Sequence, residues 1–272
     1  MKPIKKVALL HDICGVGKAG AMNMIPILSV MGMEVCLVPT TLLSTHTGGY
    51  GKPVMCPVSP DYLSDCAKHY KKEKIEFDFI FVGYLGNCDM VDGVLDFIRH
   101  FPKAKVVTDT IMGDNGEFYG NFDSSYLQAV KKLLAFSDLI LPNYTEACFL
   151  AGMEYRKNPS QTYQNELCEK LMKLGAKDMV ITSVTAAEGT GILYCEKGKK
   201  DCLYLDCEPH NIHGTGDVFD GVILGNCMRG LPLKENIVKA HQFVKTCIAE
   251  TYRYDYNKRE GVLLEKMLPM LV

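Results

Sequence analysis

The chain has 272 residues, of which 47% are hydrophobic and 23% are charged. A chain of this length buries roughly three quarters of its unfolded surface, so it can form a stable core without disulfide bonds or bound metals. Its composition excludes a disordered or collagen-like protein. With 30 basic and 32 acidic residues the net charge is −2, which favours neither nucleic acid nor an anionic membrane as a partner.

Short apolar runs alternate with longer amphipathic stretches along the chain. Val7–Leu10 predicts a buried strand, and the pattern after it predicts a glycine-rich turn and a helix over about 21–31, closed by Gly32. Further strands are predicted at 35–38, 79–82, 106–108, 138–141 and 179–182. Because these strands are apolar on both faces, we expect a parallel sheet between two layers of helices.

The second half of the chain predicts an antiparallel edge on this sheet. Strands at 191–195 and 203–205 form a hairpin, and helices follow at 216–229 and 234–250. The polar stretch 153–165 predicts a surface loop rather than a linker. We therefore expect one α/β domain over residues 1–272, a three-layer αβα sandwich with a mostly parallel sheet. Ligands of such sheets bind beyond the carboxyl ends of the strands.

The cysteines indicate a reducing compartment. None of the twelve forms a Cys-x-x-Cys pair, and most lie in apolar runs, so we expect reduced thiols in a cytoplasmic protein. The apolar run behind the basic N-terminus ends at Leu10, too short for a signal sequence, and no run approaches the ~18 apolar residues of a membrane span.

The first strand is followed by Gly15-Val16-Gly17-Lys18-Ala19-Gly20, a G-x-G-x-x-G pattern. A dinucleotide site also needs an acid at the end of the next strand, and residues 37–40 contain none, which disfavours a dehydrogenase. A P-loop is excluded because positions 12 and 19 are Asp12 and Ala19. Two interpretations remain: a tight turn only, or, with His11 and Asp12, the wall of a small-molecule pocket.

The strongest signal is Gly214-Thr215-Gly216-Asp217, directly before a predicted helix. The glycines let the backbone approach a ligand, and the helix start offers unpaired N–H groups to an anion. The amides of 214–217 would neutralise a transferred phosphoryl group, and Asp217 would accept the proton of the attacking hydroxyl. The simpler alternative is that Asp217 is a helix cap.

The motifs together resemble the ribokinase superfamily, in its vitamin B6 kinase branch. The matching segments are the glycine turn, 44–49, 83–84, 108–116, 141–147, 181–183 and 214–217. The resemblance implies a ribokinase-like fold. It also implies transfer of phosphate from ATP to the 5′-hydroxymethyl group of pyridoxal, pyridoxine or pyridoxamine. Mg²⁺ is the implied metal cofactor, and a monovalent cation is a further candidate cofactor. The resemblance also implies a homodimer.

Three carboxylates are candidate metal ligands. Asp109 and Glu146 follow predicted strands and Asp114 lies in a glycine-rich loop, so their repulsion calls for a cation. The resemblance places Asp109 and Glu146 near the metal and the ATP phosphates and Asp114 in the same network. Alternatively, Asn143 and Glu146 form a capping box, and 114–116 is a simple turn.

The resemblance also implies the nucleotide and acceptor contacts. Asn143, Thr182 and Ser183 would face the ATP phosphates together with Gly214, Thr215 and Gly216, although Thr182 could equally be a strand-end residue. The residues expected to meet the vitamer are Asp12, His46, Thr47 and Tyr84, beside Asp217. Tyr84 would be the wall against a flat pyridine, Asp12 or Thr47 would contact its polar atoms, and His46 is alternatively an ordinary loop residue.

The chain departs from the family pattern at several positions. Thr110 stands in place of a proline, Leu141 in place of a threonine, Asp220 in place of a small residue, and His11-Asp12 where a serine is common. We therefore expect one phosphate or metal contact to be lost at Leu141. Two rival functions remain open: a hydroxymethylpyrimidine kinase of the thiamine pathway, and a non-catalytic vitamer-binding protein.

Overall fold

The computed structural model describes residues 3–186, 189–210 and 212–272. Within them, nine strands form one sheet: β1 Lys5–Val16, β2 Met33–Thr45, β3 Met55–Pro57, β4 Phe79–Val82, β5 Lys105–Thr108, β8 Leu139–Ile140, β9 Asp178–Ala186, β10 Gly189–Glu196 and β11 Lys199–Tyr204. Strands β6 Gly113–Asp114 and β7 Glu117–Phe118 form a separate small hairpin. The helices are α1 Ala21–Val30, α2 Pro60–Lys72, α3 Asp89–His100, α4 Ser124–Leu134, α5 Tyr144–Ala151, α6 Gln161–Lys173, α7 Thr215–Arg229, α8 Leu233–Tyr252 and α9 Leu264–Met267.

The sheet order is β11-β10-β9-β8-β5-β4-β1-β2-β3. The six strands from β9 to β2 run parallel, and β10 and β11 form the predicted antiparallel edge. This confirms the predicted fold class. The opposite edge is also antiparallel, because β3 pairs with β2. The sequence analysis missed β3, whose three residues are exposed and carry no buried apolar pattern.

Two hydrophobic cores lie on opposite faces of the sheet. In β1, Ala8 and Leu10 face the core under α2–α6, and Val7 and Leu9 face the core under α1, α7, α8 and α9. Successive side chains of a strand point to opposite faces, so a run that is buried on both faces must be apolar throughout. The continuous apolar strands of the sequence are therefore explained by burial from both sides.

Three predicted boundaries were wrong. Strands β1 and β2 continue to Val16 and Thr45, well beyond the predicted ends, because their second halves pair with each other past the end of β4. An irregularity in the register between His11 and Ile13 marks the change. The predicted loop 153–165 ends earlier, since Ser160 caps α6, which begins at Gln161.

Candidate active site

A cleft of about 350 Å³ lies at the carboxyl ends of the central strands, against the start of α7. Nine of the residues predicted for nucleotide, metal or catalysis line it: Asp109, Asn143, Glu146, Thr182, Ser183, Gly214, Thr215, Gly216 and Asp217. These residues come from four separate parts of the sequence. The parallel topology brings them to one edge of the sheet, as expected for this fold class.

The turn before α7 packs directly on the turn after β1. Gly214 adopts a φ of +80°, and a Cβ there would lie 2.3 Å from the carbonyl oxygen of Lys18. The side chain of Asn23 joins the two turns by donating to the carbonyl oxygens of Lys18 and Gly214, at 2.8 and 3.0 Å. Only glycine fits at 214, and the first amides of α7 are left facing the cleft.

The carboxylate of Asp217 does not cap α7. The helix has no side-chain cap bond at its N-terminus. Instead, Oδ2 of Asp217 accepts a 2.7 Å hydrogen bond from the amide of Gly20, and Oδ1 lies 3.4 Å from Nε2 of His11. The helix-cap alternative is therefore not supported, and the glycine turn supplies an amide that positions Asp217.

His11 and Asp12, at the bend of β1, form a buried pair beside Asp217. Nδ1 of His11 lies 2.7 Å from Oδ1 of Asp12, and the two residues are 1% and 5% exposed. Burial opposes charge on the ring, but the hydrogen bond with Asp12 and the nearby carboxylates of Asp12 and Asp217 outweigh it and raise the pKa of His11 to about 10. The sequence analysis assigned no catalytic role to His11.

Asp109 faces a second carboxylate, Asp220, across the same cleft. Burial, followed by the nearby carboxylates, raises the pKa of Asp109 well above its ordinary value. Burial likewise raises the pKa of Asp220, which is 4% exposed. The pair therefore holds a proton in preference to two negative charges. Asp220 lies three residues after Asp217 in α7, a spacing that places both on one helix face.

Glu146 is held by backbone amides. Its carboxylate accepts hydrogen bonds from the amides of Asn143 and Met112, both at 2.9 Å, and a longer one from the hydroxyl of Thr110 at 3.4 Å. The side chain of Asn143 accepts in return from the amide of Glu146, so the capping-box alternative is confirmed. Burial raises the pKa of Glu146 to about 7, against the opposing effect of these hydrogen bonds.

Asp114 lies apart from the cleft lining. Its carboxylate accepts hydrogen bonds from the amide and side chain of Asn115, in the tight turn between β6 and β7. Asn115 and Gly116 both have positive φ angles, of 54° and 82°, as a two-residue hairpin turn requires. The structure thus realises the simple-turn alternative, and a metal role for Asp114 stays a prediction without a supporting contact.

Ser183 has a strained backbone at the cleft wall. Its φ is +59°, in the left-handed region, although it is not glycine. Its neighbour Thr182 forms an isolated bridge to Asn143 and donates its amide to the carbonyl oxygen of Pro142 at 3.1 Å. Strain of this kind persists where the surrounding structure enforces it, often at ligand sites.

Of the residues predicted for the vitamer, Asp217 lines the cleft, whereas Asp12, His46, Thr47 and Tyr84 lie outside its lining. His46 is 5% exposed and lies 2.6 Å from the carbonyl oxygen of Arg259, so its ring is held within a loop contact. Tyr84 is 7% exposed; its ring packs on Phe122, and its hydroxyl accepts from Asn121. Thr47 is exposed. Their roles in vitamer binding stay predictions.

Four further lining residues were not predicted from the sequence. They are the apolar Ile192, Leu205 and Val244, and His241. These residues lie on β10, after β11 and on α8, and no local motif connects them. Asp220 could have been predicted as a site residue, because it lies three residues after Asp217 on a predicted helix.

Replacing Glu146 with alanine tests its structural role. Glu146→Ala leaves several buried amides without an acceptor, so we expect the free energy of unfolding to fall by about 1–3 kcal/mol. Denaturant unfolding measures this. The control is Glu154→Ala, which removes an exposed ion pair with Arg156 and should change stability by less than about 1 kcal/mol. Equal stability of Glu146→Ala and the wild type would contradict the capping role.

Replacing Asp220 tests the carboxyl pair. A carboxyl group whose pKa is raised in the folded state favours folding in acid, and this contribution is lost as pH rises towards the raised pKa. Asp220→Asn should therefore be more stable than the wild type at pH 8, by on the order of 1–2 kcal/mol, and the gain should shrink at pH 5. Unfolding at both pH values without metal measures this, with the exposed Asp65→Asn as control. A gain that is the same at both pH values would contradict the shared proton.

Comparison with known proteins agrees with this geometry. A family model described as phosphomethylpyrimidine kinase matches residues 16–262. Pyridoxal kinase from Lactobacillus plantarum is 30% identical, with 98% of this chain and 96% of that chain covered and a TM-score of 0.90. A Bacteroides thetaiotaomicron protein crystallised with pyridoxal, and described as a candidate phosphomethylpyrimidine kinase, is 36% identical over 98% of this chain and 96% of that chain, with a TM-score of 0.90.

A curated relative, compared by sequence alone, also supports a vitamin B6 kinase. Pyridoxine kinase from Bacillus subtilis is 30% identical over 193 residues, or 65% of this chain and 66% of the relative. The chain spans about two thirds of the length of the curated relatives that it matches. Since the family model covers most of the sequence, the chain belongs to the phosphomethylpyrimidine kinase family of the ribokinase superfamily, and its similarities support the vitamin B6 branch.

Proposed function

We propose that the protein is an ATP-dependent kinase that phosphorylates the 5′-hydroxymethyl group of pyridoxal, pyridoxine or pyridoxamine. One observation carries the proposal: the carboxylate of Asp217 is fixed at the first turn of α7, in the cleft that also contains Asn143, Thr182 and Ser183. A base and an anion-binding helix start are thus adjacent. Phosphoryl transfer needs mainly such positioning and charge stabilisation.

Each part of the α7 turn has a separate task. The amides of 214–217 stabilise negative charge on the transferred group, because the first N–H groups of a helix lack internal partners. Asp217 accepts the proton of the vitamer hydroxyl as that oxygen attacks the γ-phosphorus and ADP leaves. Asp217 retains 12% side-chain exposure, so a substrate can reach it.

The apolar lining residues of the cleft suit the base of ATP. Ile192, Leu205 and Val244 are apolar, and His241 adds a polar group. A nucleotide whose base contacts these residues and whose phosphates lie at the α7 amides would use both kinds of lining residue. The lining thus supports ATP as the phosphate donor.

The acidic lining fits a hard divalent cation. Within the described residues, no three His, Cys, Asp or Glu side chains form a metal cage. Mg²⁺ commonly takes only one or two carboxylates, with water and substrate phosphates completing the shell. Asp109 and Asp220, which offer oxygen ligands and repel one another, would hold Mg²⁺, which would neutralise the triphosphate. The carboxylate of Glu146 already accepts hydrogen bonds from backbone amides, so it would influence the metal without binding it directly.

The vitamer is proposed as acceptor on the strength of the relatives. The Lactobacillus plantarum relative is a pyridoxal kinase, and the Bacteroides thetaiotaomicron relative was crystallised with pyridoxal. His46, Thr47 and Tyr84 follow β2 and β4 at the same edge of the sheet as Asp217. Asp12 would act through His11, its bonded partner, rather than by direct contact with the vitamer.

A second candidate function is a hydroxymethylpyrimidine kinase. The matching family model carries the description phosphomethylpyrimidine kinase, and both substrates present a primary hydroxymethyl group on a flat ring. A non-catalytic vitamer-binding protein is less well supported, because Asp109, Glu146, Asp217 and Asp220 all line the cleft. A pure binding protein has no need to concentrate four carboxylates.

Location and assembly are part of the proposal. All twelve cysteines are free, which supports a reducing compartment such as the cytoplasm. In the described part of the chain, no helix is long and apolar enough to cross a membrane. A homodimer is proposed from the family resemblance, and light scattering of the purified protein tests it.

A side-by-side turnover assay tests the choice of substrate. We expect ADP release from ATP and Mg²⁺ with at least one of the three vitamers, at a kcat/KM above that for hydroxymethylpyrimidine. A higher value for the pyrimidine would favour the second candidate. Tight binding of a vitamer without ADP release would favour the non-catalytic protein.

Substitution of Asp217 tests the proposed base. Asp217→Asn and Asp217→Ala should lower kcat by about 10²–10⁴-fold, the usual contribution of a general base. Steady-state kinetics measure this, with the exposed Asp65→Asn as the matched control. Turnover near the wild-type rate in either variant would overturn the assignment.

A further inference from the structure

The geometry points to His11 as a positioning residue for the reaction: its ring, fixed by Asp12, orients the carboxylate of Asp217 and places a positive charge beside it. This inference rests on the proposed role of Asp217 as the base. Three residues form the chain of contacts, with 2.7 Å between Asp12 and His11 and 3.4 Å between His11 and Asp217.

Two glycines, which lack a side chain, leave room for the side chains of His11 and Asp12. A Cβ on Gly83 would lie 2.2 Å from Cδ2 and Nε2 of His11, and a Cβ on Gly20 would lie 2.3 Å from Oδ1 of Asp12. The ring of His11 also stacks on Phe81, with centroids 5.9 Å apart and planes 5° apart. The ring and the carboxylate are therefore held in one orientation by backbone and aromatic contacts.

Both ring nitrogens of His11 face a carboxylate oxygen. A carboxylate only accepts, so a hydrogen on Nδ1 suits the 2.7 Å contact with Asp12, whereas the amide of Asp12, at 3.0 Å, would donate to Nδ1 in the other tautomer. A neutral ring with its hydrogen on Nδ1 would direct the lone pair of Nε2 at the carboxylate of Asp217. A hydrogen on Nε2 makes that contact attractive, so the doubly protonated ring fits both neighbours.

The surroundings of His11 contain few other titratable groups. Asp12 lies on β1 itself and Asp217 on α7, whereas β4 contributes Phe81 and Gly83. The partner of His11 on β2 is Pro39. The thiol of Cys14, further along β1, has a pKa raised to about 11, chiefly by burial, and stays neutral. The charge of the ring is therefore set by two carboxylates.

The bond between His11 and Asp217 is incomplete in this structure. Among the described residues, Nε2 of His11 has no hydrogen-bond partner, although it lies within ion-pair distance of Oδ1 of Asp217. Catalytic hydrogen bonds are often long before substrate binds and shorten in the complex. A small movement of Asp217 towards the ring would complete the bond, while the amide of Gly20 holds the other oxygen.

This arrangement counters the negative charge of the cleft. Asp109, Asp220 and Glu146 line the same cleft as Asp217, and the triphosphate adds more negative charge. Each of these groups adds to the negative potential around Asp217. An imidazolium in contact with Asp217 opposes that effect, and burial strengthens it because a buried charge is poorly screened.

The test compares three variants of the full-length protein. His11→Gln keeps a polar side chain without a charge, Asp12→Asn keeps the shape but removes the fixed partner, and His100→Gln is the control. His100 is also a histidine beside an aspartate, Asp96, but it lies on α3, away from the cleft lining. The assays are the pH profile of kcat, the KM for ATP, and the NMR titration of the ring nitrogens.

We expect His11→Gln and Asp12→Asn to lower kcat about 10- to 100-fold, part of the ~10²–10⁴-fold effect of a general base, with little change in the KM for ATP. Without the positive charge beside Asp217, we expect the acid limb of the kcat profile to move to higher pH. ATP ionises alike in every variant, so the difference between profiles reports on the protein. His100→Gln should match the wild type.

The NMR titration tests the charge without any variant. In the wild type, His11 should remain an imidazolium at pH 8, and in Asp12→Asn it should titrate at lower pH. A wild-type ring that titrates near the ordinary pKa of about 6.5 would overturn the inference, as would unchanged pH profiles in both variants. Absence of turnover in the wild type with every vitamer would instead count against the proposed function. If a variant fails to fold, the wild-type titration still decides.

Discussion

Two oxygens of one carboxylate are held by two different parts of the fold. The amide of Gly20 donates to Oδ2 of Asp217, and the ring of His11 lies beside Oδ1. Both contacts depend on the close packing of the turn after β1 against the turn before α7, where Gly214 approaches the carbonyl oxygen of Lys18. Nearly two hundred residues separate the two turns in sequence. The sheet places them together because β1 is a central strand and α7 lies against the same face as α1.

The electrostatics of the cleft follow from this packing. Four carboxylates line one small volume, and burial raises the pKa of three of them, Asp109, Glu146 and Asp220. Such a site is costly to fold without a compensating cation, and that cost is the physical reason to expect Mg²⁺ and ATP to bind together. His11 supplies a positive charge on the other side of Asp217. The site thus contains a buried acid pair, Asp109 and Asp220, and a separate carboxylate, Asp217, that lies against a histidine.

The departures from the family pattern have local structural accounts. Thr110, in the place of a proline, donates its hydroxyl to Glu146. Asp220, in the place of a small residue, meets Asp109 and adds a carboxyl group to the cleft. The sequence of the glycine turn left two interpretations, a tight turn or a pocket wall. The structure adds a third role, since an amide of that turn holds Asp217.

The sequence by itself determined the fold class and the ligand-binding edge of the sheet, because burial on both faces leaves continuous apolar strands and because Gly214–Asp217 is a local motif with a local backbone requirement. It also indicated Glu146 as a cap, a role set by residues three apart. Only the tertiary structure decided that His11 lies against Asp217, that Asp109 meets Asp220, and that β1 and β2 extend beyond β4. The reason is physical: these contacts join residues distant in the chain, and their geometry is set by packing between layers, which no local pattern records.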